Sequence, residues 1–173
     1  GEDGESINIK LELRSLADVG LVGFPNAGKS TFLNVVSSAK PKIADYPFTT
    51  LRPHLGTIKY SDNSFVIADI PGIIEGASDG HGLGIKFLKH ISRTGILLFF
   101  LEAFSEISVQ DQFLKLKKEL GDFSERLLEK EFYIVVTKID LIDEETRLET
   151  LNIFNAKELS LIHISEPTRH KTI

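Results

Sequence analysis

Cysteine, methionine and tryptophan are all missing from the 173 residues. Without cysteine there is no disulfide, no thiolate nucleophile and no thiolate metal cage, and the composition agrees with a reducing compartment. Without methionine, even at position 1, the chain is expected to begin inside a longer gene. Long apolar runs are absent too: no stretch approaches the ~18 residues that read as a membrane span, and the opening residues carry no signal-peptide pattern. Positive charge is in deficit. A net charge of −5 rules out a broad cationic face for non-specific nucleic-acid binding, although a local patch is compatible with it. A cytoplasmic protein with no membrane attachment is the resulting expectation, as a monomer. What is present is enough for a core, since hydrophobic residues make up 42% of a length that suits one globular domain.

The chain is organised around residues 17–31, ADVGLVGFPNAGKST, where an apolar run empties into a glycine-bearing turn and then a helix-forming stretch. Gly23, Gly28, Lys29 and Ser30 fill the pattern G-x-x-x-x-G-K-[ST] of a phosphate-binding loop. Residues Gly23, Phe24, Pro25, Asn26, Ala27 and Gly28 are expected to wrap backbone N–H groups around a phosphate, where a Cβ on either glycine would obstruct. Lys29 would carry positive charge to the β- and γ-phosphates, and the Ser30 hydroxyl would join the shell of a Mg²⁺ ion. The positive end of the following helix aims at the same anion.

Further along, Ile7, Ile9, Leu11 and Leu13 alternate with polar residues as in a half-buried strand. Residues 39–54 read as a loop, and Gly56–Tyr60 and Phe65–Ala68 as a hairpin turned at Ser-Asp-Asn. Residues 69–84 are glycine-rich and expected to be mobile, with a helix over Ile85–Ile91. Gly95–Leu101 and Phe132–Val136 are apolar enough to be strands buried on both faces, and Val109–Lys130 has helical spacing with a break near Gly121. A further helix is expected over Asp143–Phe154. Alternating strands and helices predict a doubly wound, mostly parallel α/β sheet of the P-loop NTPase class, with ligands at the carboxyl ends of the strands. The cluster Lys115, Lys117 and Lys118 reads as a solvated helix face, and His54, His81 and His90 as surface polar residues without metal-site spacing.

A phosphate loop alone fits an ATPase, a nucleotide kinase or a GTPase. Two later stretches narrow the choice. Asp69-Ile70-Pro71-Gly72 follows a strand, putting a carboxylate where it reaches Mg²⁺ through water and a glycine N–H where it meets a γ-phosphate. Thr137-Lys138-Ile139-Asp140 also follows a strand, and the Asp140 carboxylate matches the N1–H and N2 amino donors of guanine, which adenine lacks.

With those residues in view, GFPNAGKST, ADYPFTTLRPHLGTI, DIPGIIEGASDGHGLGIKFLKHISRT and TKID resemble the G domain of the Obg GTP-binding proteins, within the translation-factor-related GTPases. The resemblance implies slow GTP hydrolysis with Mg²⁺, cycling between GTP and GDP, association with the large ribosomal subunit during its assembly, and response to guanosine tetraphosphate. The alternative it leaves open is a guanine-nucleotide-dependent ribosome- or RNA-binding module with negligible hydrolysis. By position, it makes Phe48, Thr49, Thr50, Leu51 and Arg52 a first switch, with Thr50 a second Mg²⁺ ligand, and Asp69–Gly72 a second switch. Lys29, Thr50 and Gly72 would act on the reacting phosphate, and Asn26 would hold a K⁺ ion there, as in related GTPases. Thr137 stands where the family usually has Asn, which predicts a weaker anchor for the base loop. Residues 1–14 would be the tail of an Obg-type N-terminal domain and 15–158 an incomplete G domain lacking its last strand and helix. Residues 159–173 (LSLIHISEPTRHKTI) look like a translated library-preparation adapter and not native protein.

Overall fold

A computed structural model describes residues 17–43, 53–69 and 91–153. The strand and helix proposed for residues 7–13 and 85–91 fall wholly or mostly outside these, as do the first predicted switch, the second one after Asp69, and the tail after residue 153.

In chain order the elements are β1 Ala17–Gly23, α1 Lys29–Val36, β2 Lys42–Ile43, β3 His54–Tyr60, β4 Asn63–Asp69, β5 Thr94–Glu102, α2 Val109–Phe123, β6 Phe132–Thr137 and α3 Glu144–Ile153. Short 3₁₀ turns occupy Glu125–Leu127 and Ile139–Leu141. The six strands form one sheet in the order β2-β3-β4-β1-β5-β6. β1 runs parallel to β4 and β5, and β5 parallel to β6. The remaining pairings, β2 with β3 and β3 with β4, are antiparallel, and between β3 and β4 the short connection at Ser61-Asp62 can only return the chain beside itself.

Side chains along β5 alternate between two cores. Leu97, Phe99 and Leu101 face one side with Val109, Phe113, Leu116 and Leu120 of α2, while Leu98 and Phe100 face the other with Phe32 and Leu33 of α1. Phe99 meets Phe113 edge-on at 5.3 Å between ring centres, and Phe100 meets Phe32 at the same separation. Burying each of these phenylalanines contributes about 1.5–3 kcal/mol. This two-sided burial is why β5 reads as a continuous apolar run.

Two expectations shift in detail. The loop reading of residues 39–54 misses β2, which is too short and too exposed to leave a period: Lys42 pairs with Leu55 and Ile43 with His54. The break expected near Gly121 falls just beyond it, at Ser124, since Gly121 itself stays helical beneath Leu128, whose Cδ1 lies 3.0 Å from where a Cβ would stand. Ending there folds Leu127 into the core. In the lysine cluster, Lys115 and Lys118 are exposed as expected, but Lys117 lies 5.4 Å from the centres of both Phe113 and Phe132.

Candidate functional site

Because β1, β4, β5 and β6 are parallel, their carboxyl ends share one end of the sheet, and each delivers a polar group there. Register pairs Leu21 with Asp69, Gly23 with Phe100 and Glu102 with Thr137. The phosphate loop leaves β1 at Gly23, turns through Ala27 N–H to Phe24 O at 3.2 Å, and enters α1 with Phe32 N–H on Gly28 O at 2.9 Å. Asn26 (φ 64°) and Gly28 (φ 89°) both lie in the left-handed region, which glycine enters at no steric cost.

The two motif glycines have different reasons to be glycine. At Gly28 it is the backbone conformation. At Gly23 it is packing: a Cβ there would stand 2.7 Å from the Phe100 carbonyl oxygen, so the close approach of β5 by itself excludes a side chain. Phe24 likewise offers its main chain to the loop while its ring packs against the core.

Lys29 is buried and its ammonium donates to Gly23 O at 2.8 Å and Phe24 O at 3.0 Å, inside the loop it belongs to. Burial lowers its pKa from the ordinary lysine value of 10.5, and the nearby Asp69 carboxylate opposes that shift. Ser30 Oγ donates to Asp69 Oδ2 at 2.5 Å, while Asp69 Oδ1 is buried with no partner among the described residues.

The base-loop residues approach from β6. Thr137 is buried, and its hydroxyl lies 3.0 Å from Ala27 O and 3.3 Å from Leu101 O, so its proton ties this loop to the phosphate loop or to β5, one at a time. A threonine therefore reaches across to the phosphate loop from the position where asparagine was expected. Lys138 adopts φ 57° and pairs with Glu102 at 2.6 Å, and Ile139 is buried. Asp140 is exposed on the 3₁₀ turn. Asn26, Ala27, Gly28, Lys29, Ser30, Thr31 and Lys138 line one cleft of about 400 Å³.

Thus Gly23–Ser30, Asp69, and Thr137–Asp140 meet at one end of the sheet. Phe48, Thr49, Thr50, Leu51, Arg52, Ile70, Pro71 and Gly72 lie outside the described residues. Two residues were missed by sequence reasoning. Glu102 ends the apolar run of β5, and Gln112, on the apolar stripe formed by Val109, Phe113 and Leu116, is buried with its carboxamide on the main chain of Glu102. A polar residue at a core position of a helix was the available signal.

A phosphate loop on β1, an aspartate ending the neighbouring parallel strand and an aspartate-bearing loop after β6 together define a P-loop GTPase domain. Comparison with known proteins identifies the family: the sequence model described as 50S ribosome-binding GTPase matches residues 18–138, and the chain belongs to that family. It is 54% identical over 152 residues to a protein named GTPase Obg from Pelodictyon phaeoclathratiforme, covering 87% of this chain and 45% of that one. It is 51% identical over 169 residues to the GTPase Obg of Amoebophilus asiaticus, covering 97% of this chain and 50% of that one. The chain thus spans about half the length of the curated relatives it matches. Among solved structures, a point variant of Aquifex aeolicus Era bound to GDP·AlF₄⁻ matches with a TM-score of 0.61 at 25% identity, over 86% of this chain and 50% of that one. The G domain of the Thermotoga maritima FeoB iron transporter matches with a TM-score of 0.58 over 85% of this chain and 86% of that one, and at 19% identity it speaks for the fold alone. Among the described residues no helix is long and apolar enough to cross a membrane.

Proposed function

We propose that this chain is a guanine-nucleotide switch that binds GTP and GDP between the phosphate loop and the TKID loop, hydrolyses GTP slowly with Mg²⁺, and serves in the cytoplasm in assembly of the large ribosomal subunit. The observation that carries this reading is the joining of the two loops through Thr137 and Ala27. It ties the phosphate cradle to the loop that carries Asp140, and Lys138 of that loop lines the cleft beside the cradle.

The donor set fits a hydrated Mg²⁺. Asp69 has one buried oxygen without a partner among the described residues, next to Ser30 Oγ on its other oxygen. Ser30 Oγ and, through water, the Asp69 carboxylate would hold the ion, which would supply positive charge to offset that of the phosphates. Lys29 would donate to the β- and γ-phosphate oxygens once drawn off the Gly23 and Phe24 carbonyls. Thr50 as a second ligand and Gly72 as a γ-phosphate contact are proposed from the sequence, as is Asn26 as a K⁺ ligand.

Slow turnover follows from Ile73, which directly follows Gly72 and cannot hydrogen-bond a water. Rates on the order of 10⁻⁴ to 10⁻² s⁻¹, a barrier of roughly 20–23 kcal/mol, are expected. The same residue favours the second reading, a nucleotide-dependent ribosome-binding module whose hydrolysis is negligible. The description of the family supports a 50S partner under both. Competition of GTP against ATP at matched Mg²⁺ tests the base assignment, and equal affinities would overturn it. Single-turnover cleavage in K⁺ and in Na⁺, beside pelleting with 50S subunits in GTP and GDP, separates the two readings.

The division at residues 14/15 and 158/159 is proposed as well. The alignment with the Amoebophilus protein is long enough to enter residues 159–173, so a complete genomic copy carrying the same residues there would refute an adapter origin.

A further inference from the structure

β1 ends at Gly23, opposite Phe100, so the last two residues of β5 continue without a strand on that edge. At Glu102 a side chain takes the strand's place. Gln112 Oε1 accepts from Glu102 N–H at 2.9 Å, and Gln112 Nε2 donates to Glu102 O at 2.8 Å and to Ile107 O at 2.8 Å. A carboxamide presents the same donor and acceptor as a peptide unit, so Gln112 acts as a one-residue strand that clamps the end of β5. It is only 2% exposed, and a buried amide is held in place by the cost of leaving any of these groups unpaired. Its own position is fixed by the start of α2, where Ser108 Oγ accepts from Asp111 N–H at 3.0 Å and donates to Asp111 Oδ2 at 2.7 Å.

The clamp fixes the main chain from which the Glu102 carboxylate extends to Lys138 Nζ at 2.6 Å. Lys138 lines the nucleotide cleft, two residues before Asp140, and its φ of 57° is one that a lysine adopts only when the surroundings hold it. We propose that Gln112 and Glu102 are positioning residues for the base loop: Gln112 sets Glu102, and Glu102 sets Lys138 and with it the approach of Asp140 to the base. Neither lies among the motif residues, and their action is on the base half of the site, leaving the phosphate loop alone. This rests on the reading that the TKID loop holds guanine.

The test uses the full chain and three ligands: GDP, inosine diphosphate, which lacks the N2 amino group, and inorganic tripolyphosphate with Mg²⁺, which has no base. Gln112→Leu and Glu102→Gln should each weaken GDP about tenfold, in the range for residues sharing one hydrogen-bond network. Both should narrow the preference for GDP over inosine diphosphate and leave the tripolyphosphate inhibition constant unchanged, and the double variant should lose no more than the worse single one. Should Gln112→Leu fail to fold, Glu102→Gln alone decides, because that side chain is partly exposed and removes only the ion pair. Unchanged GDP affinity in Glu102→Gln, or equal weakening of GDP and tripolyphosphate, would overturn the proposal. If the unaltered protein does not prefer GDP to ADP, it is the guanine assignment that fails instead.

Discussion

The phosphate loop and the base loop solve the same problem, holding a short segment rigid at a strand end, by opposite means. The phosphate loop is rigid through its own backbone. Its shape comes from left-handed conformations at Asn26 and Gly28, its lysine is bonded to its own carbonyls at Gly23 and Phe24, and its first residue is wedged against Phe100. The base loop is held by groups borrowed from elsewhere: the Ala27 carbonyl grips Thr137, and Glu102 grips Lys138. A self-contained loop is disrupted by changing its own atoms. A borrowed one is also disrupted from a distance.

The sharpest break is at the base. Under the proposed base assignment, Asp140→Asn replaces an acceptor by a donor where two guanine donors would sit, and losing two hydrogen bonds to a charged group should cost about 3–6 kcal/mol of GDP binding, with xanthosine diphosphate becoming the better ligand. Calorimetric titration with both nucleotides checks it, and an unaltered GDP preference would remove Asp140 from the site.

At the phosphate end, Lys29→Ala should cost about 2–5 kcal/mol of binding for every diphosphate irrespective of base. The wild-type lysine adds a pH signature. Its lowered pKa means that in the unliganded protein the charge is lost at a pH below the ordinary 10.5, so GDP affinity should begin to fall on the alkaline side earlier than for a solvent-exposed lysine. The decline should be shallower in Lys29→Ala, where only the guanine N1–H still ionises. Titrations across the alkaline range in both proteins read this directly.

Gly23→Ala probes the backbone mould without touching any side-chain chemistry. Its Cβ would collide with the Phe100 carbonyl at 2.7 Å, a main-chain atom that moves only if β1 and β5 separate. Overpacking of this kind costs about 1–3 kcal/mol, visible as a lower urea midpoint before any change in base preference. A midpoint equal to wild type would show that the strands yield cheaply there.

The smallest expected effect is that of Thr137→Val, which keeps shape and removes one hydroxyl. About 1–2 kcal/mol should be lost, appearing as faster GDP release while tripolyphosphate binding holds. Equal loss for both ligands would mean that Thr137 supports the phosphate loop as much as its own.

The legible parts of the site were those made from consecutive residues. Gly28, Lys29 and Ser30 are recognisable because a phosphate cradle is built from one short segment, whose spacing is the geometry. Strand β5 was legible for a similar reason, since burial on both faces demands an unbroken apolar run. Glu102 and Gln112 carried no such mark: they are ten residues apart in sequence, on different elements, and meet only because α2 packs back over β5. Likewise the sequence pattern marks Gly23 as a loop glycine, but no pattern reveals which neighbouring strand will press against it.

By itself, then, the order of residues determined the alternation of strands and helices, the phosphate loop and the acids at Asp69 and Asp140, all of them consequences of local spacing and of which faces must be buried. The tertiary structure alone decided that Thr137 holds Ala27, that Ser30 and Asp69 meet, and that Gln112 reaches the base loop through Glu102. Those contacts join segments separated by 10 to 110 residues, and it takes the parallel register of the sheet, with α2 packed back over β5, to bring them to one end.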